Sequence, residues 1–171
     1  PTLAVLTSHG TSEALKIADF MRSLQPYYQL ASFDLKALEN HPEKTLENLK
    51  RFALLMVSNP TAAFSETEKY LLDQHLMQGG KQWWAINAVA VNRDSLFNSS
   101  GSAVAVGRSL NMENAFFKYG FRLQKNLVKD MYCAPVVLAS GSQSEAQYLP
   151  YPWPYYPLVK PIQKELFGNQ A

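Results

Sequence analysis

The sequence predicts an α/β fold, a mostly parallel sheet between helical layers, on three observations. Strand-like and helix-like segments alternate through the first half of the chain. Phe52-Ala53-Leu54-Leu55-Met56-Val57 is apolar without a break, which suits a strand buried on both faces. A capped helix ending in a double glycine then links that run to the next strand-like segment, the spacing of a right-handed crossover between parallel strands.

Taken in order, Thr2 to Leu6 reads as a first strand, closed by the polar turn Ser8-His9-Gly10-Thr11-Ser12. Ala14, Ile17, Ala18, Met21 and Leu24 recur at the spacing of one helical face, and Pro26 stands just past the end. Tyr28 to Leu35 is a second strand, and Pro42 opens a short helix through Leu49. Ser58-Asn59-Pro60 ends the buried strand. Ser65-Glu66-Thr67-Glu68 is a capping box in which hydroxyl and carboxylate each take a backbone N–H, with Phe64 as the staple. The helix that follows carries Leu71, Leu72 and Leu76 on one side. Gly79-Gly80 stops it, because glycine enters the left-handed conformation without a Cβ clash. Lys81 to Asn87 returns as a strand. The resulting β-α-β-α-β-α-β order predicts a three-layer sandwich of flavodoxin-like or class I glutamine amidotransferase-like type.

Beyond Val89 the alternation breaks. Asn92 to Arg108 is polar and reads as an exposed excursion, in which Asn98-Ser99-Ser100 matches the glycosylation pattern at chance frequency. Asn111 is placed to cap a short helix through Tyr119, with Gly120 at its end. Tyr132 to Leu138 resembles another strand, where Pro135 implies an edge position or a bulge. Between Tyr148 and Pro157 come four prolines and five aromatics with no charge, a density that favours an extended, polyproline-like path without ladder hydrogen bonds. The whole of 1–171 reads as one domain with a Pro/aromatic tail over 148–161. A start at Pro1, without methionine or a leader, reads as a soluble segment excised or processed from a longer chain, which leaves room for membrane anchors outside it.

Composition narrows the function classes. Charged residues make up 18% and apolar types 47%, so part of the apolar surface is expected to lie against something outside this chain. The net charge of +2 is scattered, with no basic stripe interleaved with aromatics, which disfavours nucleic acid. Cys133 is the only cysteine, so the chain holds no internal disulfide, and the thiol is expected to pack as a small hydrophobe. The longest apolar runs fall well short of the roughly 20 residues a membrane helix needs.

At the carboxyl ends of the four expected strands stand His9, Asp34, Asn59 and Asn87, where open α/β sheets bind ligands. The plain alternative is that turns need Asn and Asp. A hydrolase of amidotransferase type needs a thiol or hydroxyl on a sharp turn beside a histidine, but that turn reads Ile86-Asn87-Ala88. Cys133 lies in an apolar strand, and Ser58 lacks the flanking glycines of a nucleophile elbow. His9, His41 and His75 are far apart and show no metal-ligand spacing; His75 shares a helix side with Leu71 and reads as a core or boundary histidine. No phosphate-binding G-x-x-x-x-G-K-[ST] occurs, so no cofactor is expected and any ATP belongs to another chain. The tail aromatics have three readings: packing on the domain itself, docking on a partner, and stacking on sugar rings.

Ser58-Asn59-Pro60, Phe64-Ser65-Glu66, Leu72-Asp73-Gln74, Met77-Gln78-Gly79-Gly80-Lys81, Phe117-Lys118-Tyr119-Gly120-Phe121-Arg122-Leu123, Leu127-Val128-Lys129-Asp130 and Trp153-Pro154-Tyr155-Tyr156-Pro157 together resemble the auxiliary component of ABC-2-type transporters, the gliding-motility GldG type. The resemblance covers most of the chain. Its first half is also similar to the amidotransferase-like group that lends its fold to non-enzymatic domains. The resemblance implies a subunit of Bacteroidetes-type bacteria, anchored in the inner membrane by helices outside this chain. Its soluble part would face the periplasm beside a permease and a separate ATPase subunit. It carries no catalytic or ligand-binding motif onto positions here.

The reading that follows is a non-catalytic extracytoplasmic domain acting through protein–protein contacts, with Tyr151, Trp153 and Tyr155 as the partner-binding side chains. The alternative is a small-molecule or glycan-binding domain using His9, Asp34, Asn59 and Asn87. An amidotransferase-like hydrolase ranks third.

Overall fold

The computed structural model describes residues 1–37, 40–91, 103–140 and 147–158. Its contacts divide the chain into two units, Pro1–Lys125 and Asn126–Ala171. At the centre of the first unit is a four-stranded, all-parallel sheet of β1 (Thr2–Leu6), β2 (Gln29–Phe33), β3 (Leu54–Ser58) and β4 (Lys81–Ala85), in the order β2-β1-β3-β4. Leu3, Ala4 and Val5 of β1 stand opposite Leu54, Leu55 and Met56 of β3. The sheet is flanked by α1 (Ala18–Leu24), α2 (Pro42–Leu49) and α3 (Glu66–Met77), as the flavodoxin-like three-layer reading requires.

Side chains alternate across a strand, and the alternation sorts the two faces of the sheet. Ala4, Leu6, Phe33, Leu55 and Val57 join Leu49 of α2, Leu71 and Leu72 of α3, and Phe64 in one buried cluster. That cluster extends to Leu110, Met112 and Phe116, the last on α4 (Glu113–Lys118). Leu3, Val5, Leu54, Met56 and Trp83 have the opposite parity, and Phe20 of α1 stacks on Trp83 at 5.8 Å. Three helices therefore build the main core from one side.

The capping box of α3 forms as expected, with Glu68 N–H donating to Ser65 Oγ and Ser65 N–H donating to Glu68 Oε2. At the other end Gly79 takes φ +89°. Gly80 is needed for a different reason, since a Cβ there would lie 2.2 Å from Nε2 of the buried His75 ring. Pro42 occupies the first turn of α2.

The first helix departs from its expected form. Ala14–Ile17 is a 3-10 turn, α1 has only seven residues, and none of either is buried. Glu13 offers no side-chain cap, and Ile17, at φ −110° and ψ 5°, separates the two pieces. Ala14, Ile17, Ala18 and Met21 still share a face, which borders a groove of about 450 Å³ over Val5 and Leu30. Asn111 does not cap α4, because Met112 holds that position. Asn111 instead takes φ 57° and donates from Nδ2 to Phe64 O at 2.9 Å and Glu66 Oε1 at 3.2 Å. The expected excursion opens and closes as an antiparallel ribbon of β5 (Val89–Val91) and β6 (Ala105–Gly107). Asn98-Ser99-Ser100 lies outside the described residues.

The second unit corrects the expectation for the tail. Gln147–Pro157 is strand β8, paired antiparallel with β7 (Cys133–Ser140), and not a path without ladder bonds. The reason lies in the proline spacing. Pro150 and Pro152 alternate, so their missing N–H groups fall on one edge of the strand and leave the other edge free to pair, where Leu149 and Tyr151 stand opposite Leu138 and Val136. Pro135 stands opposite Pro152, and the register shifts between Cys133 and Pro135, where the sequence implied a bulge or an edge. Residues 159–161 of the expected tail lie outside the described residues.

Gly80→Ala places a methyl group inside the contact radius of the His75 ring and is expected to cost about 1–3 kcal/mol, the usual range for overpacking. Urea unfolding measures it. A stability equal to that of the parent chain would show that the His75 ring does not occupy this place.

Candidate functional site

In the order β2-β1-β3-β4 the chain direction across the sheet reverses between β1 and β3, and the carboxyl ends of those two strands bracket the crevice where open α/β sheets bind ligands. The turn after β1 presents Ser8, His9 and Gly10, and the turn after β3 presents Asn59 to Thr61. His9, Gly10 and Asn59 all take left-handed backbone angles, at φ 62°, 60° and 48°. For His9 and Asn59 this conformation is unfavourable by roughly 1 kcal/mol or more and persists only where surrounding contacts hold it.

Those contacts run between the two turns. The His9 carbonyl accepts the N–H of Thr61 at 2.8 Å and of Ala62 at 3.0 Å. Thr61 Oγ1 donates to Gly10 O at 3.1 Å, and Ser12 N–H donates to Ser58 O at 2.8 Å. A Cβ on Gly10 would lie 2.1 Å from Thr61 Oγ1, so glycine is what lets the turns approach. The crevice mouth is thus laced by the protein's own backbone.

Inside the lacing, the His9 side chain has no exposed surface and its ring stacks on Phe64 at 4.0 Å. Nδ1 lies 3.0 Å from Ser8 Oγ, and Nε2 lies 3.1 Å from Glu68 Oε1. The second contact has ion-pair distance without hydrogen-bond alignment, and Nε2 finds no other partner. Ser8 Oγ also accepts the N–H of Leu35 at 3.3 Å. Hydroxyl, imidazole and carboxylate therefore stand in a row. In this conformation the row is walled off, since Ser8, His9 and Glu68 are all buried and the serine oxygen already meets a donor and the ring.

Burial pushes the Glu68 carboxyl up, but the N–H and hydroxyl of Ser65 and the contact with His9 act the other way and together hold it below its ordinary value of 4.5.

Of the four residues expected to line the crevice, the structure joins the turns of His9 and Asn59 and leaves the other two on the edge strands. Asp34, past β2, is exposed and accepts the N–H of Lys36 at 2.9 Å within its own turn. Asn87, past β4, is exposed. Ser58 Oγ donates to Ser12 Oγ at 3.2 Å and meets no imidazole. Sequence reasoning missed Ser8, Glu68 and Arg108. The Arg108 Nη1 donates to Asn59 Oδ1 at 3.1 Å and to Pro60 O at 3.4 Å. The adjacency Ser8-His9 was visible, but nothing local placed a cap residue 59 positions later beside that ring.

On the β7–β8 ribbon, Tyr151 and Tyr155 remain 48% and 43% exposed. Trp153 is half-buried, its ring 5.9 Å from that of Tyr155. Cys133 is a half-buried free thiol of β7. Among the described residues no group of three His, Cys, Asp or Glu converges as a metal site, and no helix is long and apolar enough to cross a membrane.

Because Glu68 is more acidic folded than unfolded, its contribution to stability is complete above the unfolded value near 4.5 and is lost as the pH falls through the lower folded value. Glu68→Gln keeps a capping acceptor but removes the charge, so it is expected to lower stability at pH 7 by about 1 kcal/mol and to flatten the acid limb of the stability curve. Urea unfolding between pH 3 and 7 checks both. An acid limb as steep as the parent's would contradict the assignment.

Comparison with known proteins agrees with this architecture. A solved structure titled "mmIFT52 N-terminal domain" superposes with a TM-score of 0.54 at 13% identity, covering 90% of this chain and 66% of the other, and at that identity the likeness is one of fold. This chain thus spans just under two thirds of that one. No curated protein matches the sequence. The family model described as an ABC-type uncharacterized transport system matches residues 1–169, and the chain belongs to that family of ABC transporter auxiliary components.

Proposed function

We propose that this chain is a non-catalytic, extracytoplasmic domain of an ABC transporter auxiliary subunit of gliding-motility type, acting through protein–protein contacts beside a permease. ATP hydrolysis belongs to a separate subunit, and segments outside this chain anchor the assembly in the inner membrane with the domain on the periplasmic side. Membership in the transport family supports the transporter role.

One observation carries the non-catalytic part. The two N–H bonds from Thr61 and Ala62 to the His9 carbonyl lace the mouth of the crevice that a substrate would have to enter. A hydrolase needs its hydroxyl free to approach a carbonyl beside a donor-lined oxyanion site, and Ser8 Oγ is buried against Leu35 N–H and the His9 ring. Membership in a transport family supports the same reading.

Contact with a partner is supported by the ribbon. A two-stranded ribbon is marginal in water unless an apolar face is covered, yet Tyr148, Tyr151, Tyr155, Tyr156 and Val137 all remain exposed. Aromatic side chains are the commonest anchors of protein interfaces because each brings a large area with few rotatable bonds. We assign partner binding to Tyr151, Trp153 and Tyr155.

Replacing Tyr151, Trp153 and Tyr155 together by alanine is expected to reduce co-purification of the cognate permease by about tenfold or more. The pair Tyr151→Ala/Tyr155→Ala, which keeps the half-buried tryptophan, should show most of that loss at an unchanged melting temperature. Undiminished recovery of the permease with both variants would overturn the assignment.

A further inference from the structure

At the amino ends of β3 and β4, the edge of the sheet opposite the laced crevice, lies a concavity of about 400 Å³ within the range of small-ligand sites. Lys50, Arg51 and Phe52, which follow α2, form one wall, and His75, Gly79 and Gly80 at the end of α3 form another. No carboxylate lines it among the described residues. Among the described residues, neither Lys50 nor Arg51 forms an ion pair with an acidic group.

The His75 ring is 2% exposed, with Nε2 3.3 Å from Phe52 O, while Nδ1 is buried without a hydrogen-bond partner. An unmet polar atom inside a protein is unfavourable and asks for an explanation. Gly80 has no side chain where one would collide with this ring, so the imidazole keeps its place in the wall. The carbonyl end of α2 explains a cation beside it. It does not explain the cavity.

We propose that this concavity binds a small phosphate-bearing anion, with Lys50 and Arg51 supplying the charge. A concavity with two cations in its lining suits an oxyanion, and arginine and lysine are the usual phosphate partners. The site lies in the first unit and draws on none of the tyrosines or tryptophans assigned to partner binding, so it stands or falls apart from the proposed function.

The test titrates the isotope-labelled chain at constant ionic strength with inorganic phosphate and with glycerol 3-phosphate, and separately with vesicles of phosphatidylcholine with and without phosphatidylglycerol. Saturable NMR shifts are expected at the His75 ring and the amides of Arg51, Phe52, Gly79 and Gly80. Lys50→Ala/Arg51→Ala should weaken binding by about tenfold or more at an unchanged melting temperature. Arg22→Ala/Lys36→Ala, which removes the same charge elsewhere, should leave it intact. A response to the soluble phosphates supports the site and identifies a free ligand; a response only to phosphatidylglycerol vesicles supports it and identifies a lipid headgroup. No saturable response to any probe, or equal weakening by the two double variants, would overturn the proposal.

Discussion

The rest of this structure depends on the hydrogen bonding between the turns that follow β1 and β3. The His9 carbonyl is the central acceptor, taking N–H groups from Thr61 and Ala62 across 52 and 53 residues of sequence. Accepting both requires His9 to adopt a left-handed backbone angle, Gly10 to follow it there, and Thr61 to lie where any Cβ on residue 10 would collide with it. The same turn buries the imidazole between Ser8, Phe64 and Glu68. Glu68 is at once the reciprocal partner of the α3 cap and the ion-pair partner of that ring, so the start of the longest helix is fastened to the end of the first strand.

From that fastening the core follows. Phe64, stacked on His9, meets Trp84 edge-on at 5.6 Å, Trp84 meets Phe116 at 5.3 Å, and Phe116 stacks on Phe121 at 4.9 Å. This aromatic row links the laced turns to β4 and then to α4, on the sheet face that also carries α2 and α3. The opposite face is served by α1, a seven-residue helix with no buried residue, and by the Phe20–Trp83 contact. A parallel sheet is stable when both faces are covered, and here the second face is covered more thinly than the first.

Much of the fold was legible because its signals are local. The unbroken apolar run of β3, the Ser65/Glu68 capping box, Pro42 at the start of α2 and the double glycine after α3 each state their structure within a few residues, and each forms. Two local signals misled. Ala14 to Leu24 has helical spacing, but without a cap at Glu13 its first turn winds as a 3-10 helix. The prolines of β8 read as a barrier to pairing, yet Pro150 and Pro152, two residues apart, leave one edge of the strand intact. The candidate site was only half legible. Strand ends pointed to His9 and Asn59, and Ser8 is adjacent to His9 in sequence, whereas Glu68 and Arg108 join them through contacts spanning 59 and 49 residues that no short-range pattern encodes.

An α/β scaffold of this order offers its crevice to ligands in many proteins, and here the chain's own turns occupy the entrance. Native-state hydrogen exchange of the Thr61 and Ala62 amides tests this most directly. The account predicts protection comparable with the central residues of β1 and β3, because opening these bonds means undoing the His9 turn and its buried ring. Exchange at the rate of an exposed loop would contradict it, returning Ser8, His9 and Glu68 to an accessible crevice.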